Sequence, residues 1–108
     1  MRILFDHGTP NGLGRTFPAH TVTTAQAQGW DRLSNGDLLK EAEANGFDLL
    51  ITTDRRIRYQ QNLSGRRIAL IVLTGSTKWT RVQLHFQDIR AAVESVAPGG
   101  YYEVPISF

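Results

Sequence analysis

Two apolar runs constrain this chain more than anything else in it: DLLITT, from Asp48 to Thr53, and IALIVLT, from Ile68 to Thr74. Neither alternates with polar residues, so neither describes a strand with one wet face. Both sit between chain breakers and are too short for helices. Continuous apolar strands of this kind belong inside a parallel sheet that is covered on both faces. The rest of the chain supplies the covers. Arg2 to Phe5 is a third apolar run, and the turn-rich HGTPNGLG forces a bend directly after Asp6. A short helix fits Leu13 to Phe17, with Pro18 ending it, and HTVTT (His20 to Thr24) fits a short strand.

Ser34 begins the clearest helix. It is a good N-cap, with Asp37 three residues later, close to a capping box. Leu38, Leu39 and Ala42 give that helix an apolar face, and Gly46 is its expected stop. A short helix is also expected from Arg56 to Asn62. Val82, Phe86, Ile89, Val93 and Val96 are spaced 4, 3, 4, 3, which predicts one helix from about Thr80 to Ala97. Tyr101 to Val104 fits an edge strand. Alternation of strands and helices predicts an α/β fold with a mainly parallel sheet and helices on both faces.

The chain has 108 residues, near the usual size of one domain, and is read as a single domain over 1–108. It has no cysteine, which removes a disulfide framework, a thiol nucleophile and thiolate-bound zinc. No apolar run approaches the roughly 18 to 20 residues needed to span a bilayer. A cytoplasmic protein with no membrane partner is the expectation. The net charge of +2 hides an uneven distribution. Met1 to Asp54 carries a net −3, Arg55 to Gln87 a net +7 without one acid, and Asp88 to Phe108 a net −2. Such asymmetry points to a polyanionic partner.

In parallel α/β sheets, sites form outside the carboxyl ends of the strands. Asp6 ends the first strand and Asp54 follows the LLITT strand, which places both at one sheet edge. Asp37 opens the helix leading into the Asp54 strand, and a right-handed crossover starts such helices near that same edge. Three carboxylates, Asp6, Asp37 and Asp54, are therefore candidates to converge. Hard cations such as Mg²⁺ or Mn²⁺ take oxygen ligands of this kind. Each acid also has a simpler role open to it. Asp6 could cap its turn, Asp37 could serve the helix dipole, and Asp54 could pair with Arg55, Arg56 or Arg58. Asp48 precedes its strand and belongs at the opposite edge. Thr52 or Thr53 could hold a carboxylate or a phosphate by a hydroxyl hydrogen bond. His7 adjoins Asp6 and is a candidate supporting group. No Ser-His-Asp arrangement is legible.

At these residues the sequence resembles the PIN-like superfamily. More narrowly, it is similar to small bacterial PIN-like proteins first grouped as a domain of unknown function. The resemblance runs through MRILFDHGTP, LSNGDLLKEAEANGFDLLITTD and RYQQNLSGRRIALIVL. It implies a Rossmann-like three-layer sandwich with an acidic pocket. It also implies a Mg²⁺- or Mn²⁺-dependent endoribonuclease holding one or two ions, commonly a toxin restrained by a cognate antitoxin. Homodimers are frequent among such proteins. Asp6, Asp37 and Asp54 match the pattern's acids, as catalytic residues and metal ligands. Two positions depart from it: Arg56 stands where a further acid is typical, and His7 where a glutamate is frequent.

Two functions follow as expectations. In the first, Asp6, Asp37 and Asp54 hold the cation, and Arg55, Arg56, Arg58, Arg66 and Arg67 attract RNA, with Gln60 and Gln61 touching bases or ribose. Tyr59 and Trp79 are candidate stacking residues. In the second, the chain is a catalytically reduced module that binds RNA or a protein partner.

Overall fold

The computed structural model describes residues 1–6, 8–57 and 65–108. Five strands form one sheet: β1 (Arg2–Phe5), β2 (Thr21–Thr24), β3 (Leu49–Thr52), β4 (Ala69–Gly75) and β5 (Tyr101–Ile106). Their spatial order is β2-β1-β3-β4-β5, and every neighbouring pair is parallel. The α/β class and the parallel sheet expected from the apolar runs are both present. This 2-1-3-4-5 order is one of the common doubly wound arrangements.

Side chains explain the uninterrupted apolar runs. Ile3, Phe5, Leu49, Ile51, Ala69, Ile71 and Leu73 enter one core, while Leu4, Leu50, Leu70 and Val72 enter the other. Alternate residues therefore face opposite layers, and both layers are dry. Helix α1 (Asn35–Ala44) closes the second layer with Leu38, Leu39 and Ala42. The Ser34 hydroxyl accepts the Asp37 N–H at 3.3 Å, as an N-cap should. Gly46 follows the helix at φ +80°, the left-handed stop that glycine adopts without a steric penalty.

The first layer is closed by a 3₁₀ turn at Asn11–Thr16 and by the C-terminal helices. There the sequence-based expectation needs correcting. The single helix from Thr80 to Ala97 is instead α2 (Trp79–Val82), a 3₁₀ turn (Gln83–His85) and α3 (Phe86–Ser95). The break falls at His85, whose backbone leaves the helical region at φ −115°, ψ 19°. Its ring meets Asp88 Oδ2 through Nδ1 at 3.1 Å and Ser107 Oγ through Nε2 at 3.1 Å. The apolar periodicity survives the break, because Val82, Ile89 and Val93 are all buried in the first layer.

β5 forms one edge of the sheet. The Leu70 N–H donates to Gly100 O and the Ser76 N–H to Ile106 O, so even-numbered residues of β5 face β4. Glu103 and Pro105 then present their backbone outward, and Pro105 has no N–H to offer there. Among the described residues, no helix is long and apolar enough to cross a membrane.

Candidate active site

The chain runs from β1 out to β2, then crosses back to β3 on the other side of β1. The crevice between the carboxyl ends of β1 and β3 is therefore the switch point, where doubly wound sheets bind ligands. Asp6 directly follows β1, and Thr53 and Asp54 directly follow β3. A pocket of about 200 Å³ opens at this point, lined by Asp6, Thr53 and Asp54 with Asn35 from the start of α1.

Asp6 is held by hydroxyls. Thr52 donates to Oδ2, and Thr9 sits 2.9 Å from Oδ1 and 2.9 Å from Ile51 O. The Thr9 proton serves one of these acceptors at a time. The Asp6 N–H donates to Ile51 O at 3.2 Å, which ties β1 to β3 beyond the last paired residues. Thr52, fully buried, also accepts the Asp54 N–H at 3.1 Å. One hydroxyl thus ties the Asp6 carboxylate to the Asp54 backbone, and of the two threonines that the sequence offered for holding a carboxylate, Thr52 is the one that does so. Thr53 lines the pocket instead. Its Oγ1 would lie 2.5 Å from a Cβ at position 8, so the loop after β1 passes this close only because Gly8 has none.

Asp54 is held by different partners. The Asn35 amide donates to Oδ2 at 3.0 Å, and the Arg56 N–H donates to Oδ1 at 2.9 Å. The Arg56 guanidinium adds Nε to Oδ1 at 3.2 Å and Nη2 to Oδ2 at 3.5 Å. The Asn35 hydrogen bond is the main reason the Asp54 carboxyl sits below the usual aspartate range. Partial burial opposes the shift, and the Arg56 contacts reinforce it. The Asp54 side chain is 25% exposed and that of Arg56 77% exposed, so the pair is a surface ion pair over a half-buried acid.

Asp37 is not among the residues that line this pocket; it is exposed. Helix geometry gives the reason. Successive residues turn about 100°, so Asp37 points roughly 200° away from Asn35. Asn35 lies three and four residues before the buried Leu38 and Leu39, on the same face. Extending the apolar face of α1 back by one turn was the available signal, and it leads to Asn35. Thr9 was missed as well, since nothing in HGTPNGLG marks which polar residue folds back under Asp6.

The arginines divide. Arg55 and Arg56 follow the carboxyl end of β3. Arg66 and Arg67 precede β4 at the amino edge, where the Glu43 carboxylate accepts the Arg67 N–H at 2.8 Å and the Ile68 N–H at 3.2 Å. Strand length separates the two groups by roughly 15 Å. The run of positive charge is continuous in sequence but split across the sheet. Asp48 lies at the amino edge as expected, accepting the Arg2 N–H at 2.8 Å. Trp79 packs on Phe86 in the first core layer, with ring centroids 5.5 Å apart. His7, Arg58, Tyr59, Gln60, Gln61 and Asn62 lie outside the described residues, as does most of the helix expected from Arg56 to Asn62.

Three carboxylates, Asp6, Asp31 and Asp54, line this crevice with the Asn35 amide, and carboxylates at the strand ends suit one mode of cation binding. Mg²⁺ is commonly held by one or two carboxylates, with water and substrate phosphate completing its shell. Asp6 and Asp54 meet that requirement, since a carboxylate oxygen has lone pairs beyond those taken by one hydroxyl or amide donor. Among the described residues, no three Asp, Glu or His side chains form a ready-made metal cluster. Of the three acids expected to converge, Asp6 and Asp54 line this pocket and Asp37 does not.

Fold and site define a doubly wound, all-parallel α/β protein with a carboxylate-lined pocket at its switch point. No protein-family model, curated protein or solved structure matches the chain.

Proposed function

We propose that this protein is a Mg²⁺- or Mn²⁺-dependent endoribonuclease in which Asp6 and Asp54 hold the cation. The observation that carries this reading is the convergence of these two acids, from adjacent parallel strands, into one switch-point pocket. When bound, such a cation supplies Lewis acidity: it makes water more acidic and offsets charge developing on a phosphate. The chain's own groups do the rest. Thr52 and Thr9 fix the orientation of the Asp6 carboxylate, and Asn35 fixes that of Asp54 and favours its ionised form. Arg55 and Arg56, beside the pocket, draw in the RNA backbone, with Arg58 the next cation in the chain. The amino-edge pair, Arg66 and Arg67, is not part of this approach.

A toxin restrained by a cognate antitoxin in the cytoplasm, acting as a monomer or homodimer, is the setting that the PIN-like resemblance favours. The test uses purified protein and single-stranded RNA with Mg²⁺, Mn²⁺ or EDTA. Cleavage should require the divalent ion. Asp54→Asn should lower it more than about 100-fold, beyond the roughly 10–100-fold typical of losing a supporting partner. Cleavage that persists in EDTA would overturn the reading.

One observation favours a second reading, a catalytically reduced module that binds RNA or a protein. Arg56 already neutralises Asp54 in cis. RNA binding without cleavage under every metal condition would select it.

A further inference from the structure

The switch-point pocket is lined by two kinds of residue. Asp6, Asp31, Asn35, Thr53 and Asp54 supply its polar wall; Ala25, Trp30, Leu33 and Leu38 supply an apolar one. A hydrated cation and a phosphate need only the polar wall, so the apolar wall calls for a ligand with an apolar part. Trp30 is fixed in place there. Its backbone N–H donates to Ala25 O at 2.8 Å, and its ring meets Phe47 edge-to-face with centroids 5.9 Å apart. A rigid aromatic side chain that keeps partial exposure is well suited to stacking at low entropic cost.

We infer that this wall seats one unpaired nucleobase of the RNA, stacked on Trp30, while the adjoining backbone phosphate meets the carboxylate wall. The inference rests on the nuclease reading for the phosphate side and adds the position of the base. The pocket volume, about 200 Å³, limits the occupant. It lies below the roughly 300–1,000 Å³ of sites for drug-sized ligands, which suits a single planar ring system. A base inside a duplex has both faces covered by its neighbours and cannot enter. The site is therefore selective for single strands, as stacking sites for RNA commonly are.

The chain has two tryptophans, and Trp79 belongs to the opposite layer. Fluorescence of a Trp79→Phe variant therefore reports Trp30 alone. Nucleoside 5′-monophosphates with Mg²⁺ should quench it saturably, and ribose 5-phosphate should not. Equal quenching by both, or none by either, overturns the inference. A second measurement needs no variant. The wild-type protein is titrated with a single-stranded RNA and with the same RNA carrying one abasic position at a time. One abasic position should weaken binding about 5- to 100-fold, and Trp30→Ala should do the same to the intact RNA. Small, uniform losses at every position would overturn it too. The two readings fail separately. Base-dependent binding without cleavage removes the nuclease and keeps the base pocket. Metal-dependent cleavage indifferent to Trp30 and to abasic positions does the reverse.

Discussion

The Thr52 hydroxyl is fully buried and has two partners, the Asp6 carboxylate and the Asp54 N–H. Replacing Thr52 with valine keeps the shape but strands both partners. The expected cost is about 1–3 kcal/mol in urea unfolding, the usual penalty for orphaned polar groups. A neutral result would mean that water takes over both bonds. The carboxylates set a second expectation at this scale. Asp54 is held below the usual range chiefly by Asn35, and Glu43 chiefly by the Ile68 N–H. For both, the unfolded chain takes up its proton at a higher pH than the folded one. Stability from these groups is complete above the ordinary carboxylate range and is lost as pH falls through the lower folded values. The urea midpoint should therefore hold steady at neutral pH and drop below about pH 4. Asp54→Asn should make that drop shallower; an unchanged acid limb would contradict the assignment.

Helix α1 decides which polar residue reaches the pocket, and the choice is made by register. Asn35→Leu removes the largest single cause of the low Asp54 pKa. Carboxyl titration by NMR should therefore show the Asp54 pKa rise in this variant. An unchanged value would mean that the Arg56 contacts alone hold the carboxyl down, unlike most exposed ion pairs. This element also shows how far the sequence could be read. The strands were legible because a doubly covered sheet needs uninterrupted apolar residues, and LLIT and ALIVL satisfy that need without tertiary information. The cap at Ser34 and the stop at Gly46 were legible because both are local. Which face of α1 meets the site was less so, since it depends on where β3 ends relative to the helix start. Asp37 carried the chemistry expected of a metal ligand, but Asn35 occupies the inward position. The break at His85 was hidden because a 3₁₀ turn leaves the apolar spacing intact, and its side-chain partner Ser107 is distant in sequence.

Across the whole molecule, charge is distributed by sheet edge rather than by sequence run. Arg55 and Arg56 adjoin the pocket, while Arg67 is roughly 15 Å away at the other edge, beyond a Debye length of about 8 Å at physiological salt. Arg55→Ala should reduce the slope of log K against log salt for single-stranded RNA by about 0.7, the value for one phosphate contact. Arg67→Ala should leave that slope unchanged. Equal effects at both positions would show that RNA wraps the sheet rather than entering at one edge. Pro105 carries a consequence at the same scale. The outer face of β5 presents Glu103 and a residue with no N–H, so that edge is a poor template for another strand. At the opposite edge, the outward-facing Thr24 carbonyl of β2 already accepts the Gln28 N–H at 3.2 Å, because the chain turns back over the strand end. Neither edge therefore offers a complete ladder of free backbone groups, and a neighbouring chain that tried to extend the sheet would meet an interrupted row on either side.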